Sequence, residues 1–297
     1  MQILVDPDSS HVYTCSMDKK ASKAPLVSVL IPVYNREKLI SYAIESILRQ
    51  TYINWELIIV NDGSTDATLS VIKKYASRDK RIRIISNPHN LGIAPARNIA
   101  ARAAQGTYIV WLDSDDTSPE ERIEKQVWFM EANPDVGVCG GTVELFQDGR
   151  LMETRRYPPD DASLRKKIFM MSPVSQGASI IRKTLLDDAG MYDESLQFHA
   201  EDLDLFLRIG RISKFANIPD MVLHCNTTGS ISYTNLNDNI RATLKVRKKA
   251  CTQYGYRMRI ADRIAYLVTW AMLLLPSRLV IGMFRVCRKR VSRRVKR

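Results

Sequence analysis

The sequence predicts an α/β fold, a mostly parallel sheet with helices on both faces, followed by a helical and basic C-terminal region. Short apolar runs alternate with segments of helical periodicity, which is typical of a parallel sheet. The runs are also too hydrophobic for strands that expose one face to water. The C-terminal region is predicted from charge, because basic residues are concentrated after residue 240.

The first strand and helix establish the pattern. Val27–Val33 is a β-branched run closed by polar residues, which is typical of a buried strand. Residues 36–49 place apolar side chains at helical spacing and predict an amphipathic helix. The same alternation predicts strands over residues 57–61, 82–86 and 108–112, and helices over residues 67–76, 94–104 and 120–132.

The second half of the chain is more mixed. Residues 136–146 predict a strand with a kink or bulge at Gly140–Gly141, and a proline-containing loop follows. A strand over 177–182, a helix over 202–210 and helices after residue 235 complete the prediction. We therefore expect an N-terminal extension over residues 1–25, an α/β domain over 26–235 and a helical basic region over 236–297.

Composition excludes several classes of protein. The chain has 297 residues, 45% of them hydrophobic, and a mean hydropathy of −0.20, which is typical of soluble proteins. Its five cysteines form no C-x-x-C pair, which argues against a disulfide framework or structural zinc and fits a reducing cytoplasm. The N-terminus shows no signal-peptide pattern. Neither G-x-G-x-x-G nor G-x-x-x-x-G-K-[ST] is present to support a dinucleotide or Walker site.

Polar or acidic residues follow each of the first four predicted strands, where ligands bind in parallel sheets. The stretches are P-V-Y-N (32–35), N-D-G-S-T-D (61–66), N-L-G-I-A-P-A-R-N (90–98) and L-D-S-D-D (112–116). Taken alone, N-D-G-S-T-D is compatible with a tight turn and a helix cap from Ser64 or Asp66. The acids of L-D-S-D-D are compatible with a helix N-terminus.

Three aspartates within four positions, Asp113, Asp115 and Asp116, are more than helix capping needs. Hard cations such as Mg²⁺ or Mn²⁺ bind carboxylate oxygens and usually share their coordination shell with substrate phosphates. The stretch therefore indicates a divalent metal that holds substrate phosphates at this strand end.

In this order and spacing, the stretches resemble those of the inverting nucleotide-sugar glycosyltransferases of family 2, which have the GT-A fold. The resemblance runs through V-S-V-L-I-P-V-Y-N, S-I-L-R-Q-T-Y-I-N-W-E-L-I-I-V-N-D-G-S-T-D, N-L-G-I-A-P-A-R-N and G-T-Y-I-V-W-L-D-S-D-D, and resumes at H-A-E-D-L-D-L-F-L-R-I (199–209). It implies a GT-A fold, which is Rossmann-like, over residues 26–235. It also implies metal-dependent, inverting sugar transfer from a nucleotide-diphosphate donor to a hydroxyl of a glycan or lipid-linked saccharide. We expect this activity to serve bacterial surface polysaccharide synthesis.

The resemblance implies a nucleotide pocket. Pro32, Tyr34 and Asn35 would line it, and Asp62 would bond the nucleotide base. Arg97 would lie near the base and the phosphates, and a guanidinium suits phosphate in its own right.

The resemblance divides the three aspartates. Asp115 would bind the metal, and Asp113 would face the ribose or contribute to the metal site through a bound water. Asp116 would lie behind them or cap a helix, two alternatives that the sequence leaves open.

By the same resemblance, Asp202 is the base that accepts the proton of the acceptor hydroxyl, with Glu201 contacting substrate beside it. Without the upstream motifs, these two acids could simply favour the N-terminus of a helix. The stretch L-H-C-N-T-T-G-S-I-S (223–232) departs from the family pattern. His224 within it could serve the metal or the phosphates, or could be an ordinary strand-end residue.

The C-terminal region is expected to bind an anionic membrane surface. From Arg241 on, 17 basic residues stand against one acid, Asp262, whereas the whole chain has a net charge of +12. Residues 264–275 carry no charge but are shorter than the roughly 20 residues that span a bilayer. We therefore expect helices lying in the interface, peripheral on the cytoplasmic face of the inner membrane. Alternatives are docking onto the body or an oligomer partner, and a true span; no nucleic-acid module supports nucleic-acid binding.

Two rival functions remain open at this stage. A sugar-1-phosphate nucleotidyltransferase shares the nucleotide-binding architecture, but it would need a glycine-rich loop after the first strand, and V-Y-N-R-E contains no glycine. A catalytically silent nucleotide-sugar-binding scaffold would keep the same motifs without turnover.

Overall fold

The structure is a computed structural model that describes residues 24–196, 199–228 and 236–275. The N-terminal extension predicted over residues 1–25 lies almost entirely outside the described residues, as does the basic tail from residue 276 on. The strands are β1 Val27–Val33, β2 Trp55–Asn61, β3 Ile82–Ser86, β4 Tyr108–Trp111, β5 Val136–Gln147, β6 Arg150–Arg155, β7 Ile180–Arg182 and β8 Lys214–Asn226. The helices are α1 Ile40–Leu48, α2 Thr68–Ala76, α3 Ile93–Ala103, α4 Arg122–Ala132, α5 Asp161–Arg165, α6 Lys183–Asp188, α7 Glu201–Ile209, α8 Leu236–Thr252 and α9 Ile260–Ala271.

The strands form one mixed eight-stranded sheet in the order β3-β2-β1-β4-β7-β5-β6, with β8 paired to β5. The first four strands in the chain are parallel, and β7 joins them to the second half by antiparallel pairing with both β4 and β5. The carboxyl ends of β1, β2 and β4 therefore lie at one edge of the sheet. The predicted α/β class and the covered parallel sheet are confirmed.

Two hydrophobic clusters cover the two faces of this sheet. Successive residues of a strand point to opposite faces, so Val29 and Ile31 pack in one cluster while Leu30 packs in the other. All seven residues of β1 and all seven of β2 are buried. This burial on both faces explains why these strands have continuous hydrophobic runs.

The structure corrects one predicted strand and adds elements that the sequence did not predict. The strand expected over 177–182 begins only at Ile180, because Gln176–Ala178 forms a 3-10 turn in which the Gln176 carbonyl accepts the Ser179 hydroxyl at 2.8 Å. Strand β6 lies in the segment that was predicted as a loop, and strand β8 lies in a segment for which no helix or strand was predicted. The kink in β5 is confirmed, since its register with β8 shifts between Gly140 and Thr142.

The helix that follows the α/β domain packs against it. Val246 and Ala250 of α8 are fully buried in the second cluster, and Lys249 bridges Asp193 at 2.7 Å and Asp204 of α7 at 3.1 Å. Helix α9 packs on α8. Within the described ranges, no helix has both the length and the apolarity that crossing a membrane requires.

Candidate active site

The carboxyl ends of β1 and β2 are joined through Asn35. Its side-chain oxygen accepts a hydrogen bond from the Thr65 backbone amide at 2.8 Å, and its backbone amide donates to the Ser64 hydroxyl at 3.0 Å. Asn35 has a φ of 50°, a left-handed conformation that asparagine tolerates better than most residues. Pro32 is buried at the end of β1, whereas Tyr34 is 41% exposed beside it. This turn therefore presents Tyr34 to solvent on a fixed backbone.

Asp62, at the end of β2, organises the loop that leads into α3. Its buried carboxylate accepts hydrogen bonds from the Asn87 side chain at 2.7 Å and from the amides of Leu91 and Gly92 at 3.1 and 3.0 Å. A carboxylate has about four lone-pair sites. Three donors from this loop occupy most of these sites, so Asp62 holds the loop in a fixed position at the end of β2.

The three aspartates after β4 have different surroundings. Asp113 is partly exposed and pairs with Arg97 at 3.3 Å. Asp115 pairs with Arg36 at 3.5 Å. Burial and the like charge of Asp113 raise the pKa of Asp115 above its ordinary value, while Arg36 opposes this rise. The positive charge of Arg36 therefore does not fully offset the effects of burial and of Asp113 on the Asp115 carboxylate.

Asp116 is buried and holds the end of β8. Its carboxyl accepts the Asn226 amide at 2.8 Å, while Thr117 and His224 form an isolated antiparallel bridge beside it. Burial, Asp113 and Asp115 raise its pKa well above the ordinary value. Helix α4 has no side-chain cap, so of the two alternatives left open for Asp116, the structure places it behind the other acids and not at a helix cap.

Arg97 of α3 lies at the centre of the site. Its guanidinium donates to Glu201 of α7 and also pairs with Asp113, and it is 5% exposed. The rings of Trp111 and Tyr192 lie 5.7 and 5.6 Å from it. Arg97 thus connects the end of β4 to the start of α7 in a water-poor environment.

Glu201 and Asp202 begin α7, directly after Ala200, which has a φ of 59°. A left-handed non-glycine residue is strained, and such strain is common at functional sites. Burial raises the pKa of Glu201 to about 7, although Arg97 lowers it. Burial also raises the pKa of Asp202, again against the influence of Arg97. The two acids therefore have distinct partners, because Glu201 is bound to Arg97 while the Asp202 carboxyl accepts the Leu203 amide at 2.7 Å.

A cavity of about 200 Å³ adjoins the acids and contains His224. Asp115, Thr117, Phe146 and His224 are among its lining residues. His224 Nε2 lies 3.7 Å from a Glu144 carboxylate oxygen. In the part of the chain that the structure describes, no three His, Cys, Asp or Glu side chains are grouped as metal ligands. A cation here would bind through one or two carboxylates and substrate oxygens, which is how Mg²⁺ is commonly held.

Sequence reasoning missed two residues of this site, Arg36 and Tyr192. Arg36, the partner of Asp115, directly follows the V-Y-N stretch, and its position after a strand end was a usable signal. Tyr192 packs edge-on against Trp111 at 5.6 Å, and its hydroxyl accepts a hydrogen bond from the Gln176 side-chain amide at 2.5 Å. Nothing local marked Tyr192, because it comes from a loop far along the chain.

Comparisons with known proteins identify the family to which this sequence is similar. A family model described as "Glycosyl transferase family 2" matches residues 28–190. An uncharacterized glycosyltransferase of Haemophilus influenzae is 31% identical over 253 residues, which cover 81% of this chain and 77% of that protein. The hyaluronan synthase of Pasteurella multocida is 32% identical over 246 residues, 80% of this chain but only 25% of the synthase.

A solved structure shares the fold. The mannosyltransferase PcManGT of Pyrobaculum calidifontis, in complex with GDP-Man and Mn²⁺, superposes with a TM-score of 0.62 over 89% of this chain and 80% of that one. The two sequences are 19% identical, so this likeness shows the fold alone.

Proposed function

The chain belongs to glycosyl transferase family 2 and has the GT-A fold, and from this membership we propose inverting sugar transfer from a nucleotide-diphosphate donor to a hydroxyl of a glycan or lipid-linked acceptor. The position of Asp202 supports the proposal most directly. Its carboxyl begins α7 beside the Arg97 ion pairs, at the sheet edge where the nucleotide motifs end.

Inverting displacement needs one base on the face opposite the leaving group. Asp202 suits this role because burial raises its pKa, which makes its carboxylate a stronger proton acceptor. Glu201 does not, because its carboxylate is already bound to Arg97. Glu201 and Arg97 instead hold the start of α7 at a fixed distance from Asp113. The nucleotide would lie against Tyr34, Asp62 and Asp113.

We propose that Asp115, with Asp113 beside it, binds Mg²⁺ or Mn²⁺ together with the donor phosphates. The residues fit, because Asp115 is a partly buried carboxylate whose pKa is raised by burial and by a like charge. When bound, the cation stabilises the negative charge that develops on the leaving nucleotide diphosphate. His224 lines the same cavity as Asp115, and we propose that it contacts those phosphates.

The acceptor class is proposed from similarity. A hyaluronan synthase among the relatives favours a polysaccharide product, so we propose that this chain extends a surface glycan. The nucleotidyltransferase alternative finds no support, because family membership and the glycine-free segment after β1 both oppose it. A catalytically silent scaffold would bind the nucleotide sugar without turnover, so a measurement of turnover separates this alternative from an enzyme.

The test is a panel of nucleotide sugars, read by nucleotide release and by product configuration. We expect Asp202→Asn to lower transfer by roughly 10²–10⁴-fold, the usual contribution of a general base, while thermal stabilisation by the donor nucleotide persists. Asp188→Asn, an exposed acid on α6, is the matched control and should behave as wild type. Wild-type turnover by Asp202→Asn would remove this residue from the base role, and a retained anomeric configuration would contradict direct displacement.

We also propose that α9 attaches the protein to an anionic membrane surface. The helix presents an apolar stripe to solvent at helical spacing, and its polar residues Asp262 and Thr269 face the body. The exposed apolar residues are Ile260, Ile264, Leu267, Val268, Trp270, Leu274 and Leu275. The sequence after them contains many basic residues and no acid. An apolar stripe suits the acyl boundary of a leaflet, and the cations that follow it suit anionic headgroups. We propose that this leaflet is the cytoplasmic face of the membrane.

Sedimentation of the full chain with phosphatidylglycerol vesicles tests this attachment. Replacing Ile264 and Leu267 by glutamate should release the protein, whereas Ile53→Glu, at an 80% exposed apolar residue elsewhere, should not. Equal sedimentation of both variants would contradict the proposal. Concentration-dependent dimerisation that the double variant abolishes, without vesicle binding, would assign the stripe to a second copy of the chain.

A further inference from the structure

A second cavity, of about 390 Å³, lies beyond the candidate active site and carries positive charge. It is lined by Arg156, Tyr157, Pro158, Ser163, Lys166 and Lys167. Three of these six residues are cations and none is an acid. The segment belongs to neither the nucleotide motifs nor the predicted metal site.

The three cations are unpaired among the described residues, whereas their neighbours are paired. Arg155 binds Glu153 at 3.2 Å, and Arg165 binds Asp161 at 2.5 Å. The acids closest in sequence are also engaged with the backbone. Asp160 accepts the Ser163 amide at 2.9 Å, and Asp161 accepts the Phe215 amide at 3.0 Å. The charge of Arg156, Lys166 and Lys167 therefore remains available to a ligand.

The walls of this cavity are fixed to the sheet. Asn217 of β8 donates its side-chain amide to the carbonyls of Pro158 and Pro173, both at 3.1 Å. Leu164 is buried in the second cluster and anchors the turn that carries the two lysines. A site with preformed walls loses less entropy when a ligand binds.

Tyr157 connects the cavity to the proposed base. Its ring packs against the first cluster while it lines the cavity. Burial raises the pKa of Tyr157, and the carboxyl of Asp202 raises it further. Tyr157 therefore lines the cavity and is also close enough to Asp202 for the two side chains to interact electrostatically.

The cavity also adjoins the α9 stripe. Arg259, at the start of α9, donates to the Lys166 carbonyl, and Arg247 of α8 donates to the Met170 carbonyl at 3.4 Å. The segment with the two lysines therefore contacts the start of α9, the helix that exposes apolar residues.

We propose, building on the function proposed above, that this cavity binds the phosphate of a phosphate-bearing acceptor. Arg156, Lys166 and Lys167 hold the anion, while the sugar attached to it places its hydroxyl at Asp202. Clustered cations without acidic partners are a site for phosphate oxygens, which accept several charge-assisted hydrogen bonds. The neighbouring α9 stripe favours an acceptor whose phosphate is linked to a lipid.

The test uses inorganic pyrophosphate as the probe, with full-length protein, a chelator present and calorimetry as the readout. Changing Arg156, Lys166 and Lys167 together to glutamine should weaken binding about tenfold or more, since a charge-assisted hydrogen bond contributes about that much. The matched control changes the exposed Lys73, Lys74 and Arg78 near and in α2 to glutamine and has the same net charge. Equal affinity in the two triple variants, or no binding to wild type, would overturn the proposal.

Two further probes identify the source of the phosphate. Competition by farnesyl diphosphate stronger than by glucose 1-phosphate would assign the site to a lipid-linked acceptor. The reverse order would assign it to a soluble phosphorylated saccharide and would contradict the lipid-linked assignment. Failure of both to compete with pyrophosphate would overturn the acceptor role.

Donor hydrolysis without acceptor separates this proposal from the proposed function. We expect the cavity triple variant to release nucleotide from the donor as wild type does. Absence of donor turnover in wild type would refute the proposed function alone. Normal sugar transfer with an unchanged acceptor KM in the triple variant would refute the cavity proposal alone.

Discussion

Replacing Arg97 with methionine leaves Glu201 and Asp113 without the counter-charge that joins them. Glu201 is 7% exposed and Arg97 is 5% exposed, so the pair is buried. Removing one partner of a buried ion pair typically lowers the free energy of unfolding by about 3–5 kcal/mol. For a domain of this size, each kcal/mol shifts the Tm by about 2–4 °C. The expected decrease in Tm is therefore roughly 6–20 °C, measured by thermal or denaturant unfolding.

The decrease should depend on pH with a definite sign. Burial raises the pKa of Glu201 to about 7 in the folded state, and Arg97 is the main influence that lowers it. The pKa of Glu201 is therefore higher in the folded state than in the unfolded state. Such a carboxyl contributes its full stabilisation of the fold at low pH, and this contribution is lost as pH rises through about 7. Without Arg97 this loss becomes larger. The destabilisation by Arg97→Met should thus be large at pH 8 and small at pH 5.

Arg102 provides the matched control, since it lies on the same helix and its side chain is 59% exposed, 3.8 Å from Glu194. An exposed pair contributes at most about 1 kcal/mol, so Arg102→Met should leave the Tm nearly unchanged at both pH values. Equal destabilisation by the two variants, or a decrease in Tm for Arg97→Met that is the same at pH 5 and pH 8, would refute the reasoning about the buried pair.

Three other predictions follow from the site. Chelation should abolish sugar transfer in wild type. The variant Asp115→Asn should raise the Mg²⁺ or Mn²⁺ concentration needed for half-maximal activity by about tenfold or more, which is the usual contribution of a charge-assisted contact to affinity. Full activity after exhaustive chelation would remove Asp115 from the metal site. Gly177→Ala would place a methyl group 3.3 Å from an Asp113 oxygen and 3.3 Å from Leu223, so we expect about 1–3 kcal/mol of destabilisation in a denaturant titration; an unchanged midpoint would show that this contact relaxes freely. The kcat/KM should rise with pH through a pKa above that of a free aspartate, because burial raises the pKa of Asp202; a flat profile down to pH 4 would contradict the base assignment.

The parallel half of the fold was predictable from the sequence. Strands such as Val27–Val33 are buried on both faces, so each has an unbroken apolar run that local pattern reveals. Parallel strands also bring their carboxyl ends to one edge, so the sequence alone predicts that Asn35, Asp62 and Asp113 lie together. What the sequence determined by itself was therefore the layered architecture and the edge at which its chemistry would lie.

Edge strands were not predictable in this way. Residues 150–155 read R-L-M-E-T-R and are largely exposed, so β6 has no hydrophobic alternation. Strand β8 contains Pro219, and proline in a strand normally signals a loop or an edge position. Both strands are stabilised by pairing with β5, which is a tertiary contact and leaves no local signal.

The division of roles among the acids was likewise decided by tertiary structure. The family resemblance implied that Arg97 lies near the nucleotide, but its guanidinium also binds Glu201, which lies 104 positions along the chain. The sequence left two roles open for Asp116, and the choice between them depends on the Asn226 amide, 110 positions away, which donates to its carboxyl. Periodicity and motif spacing carry information about residues that are close in sequence. Which carboxylate is buried, paired or free depends on the packing of distant elements, and only the folded sheet brings those together.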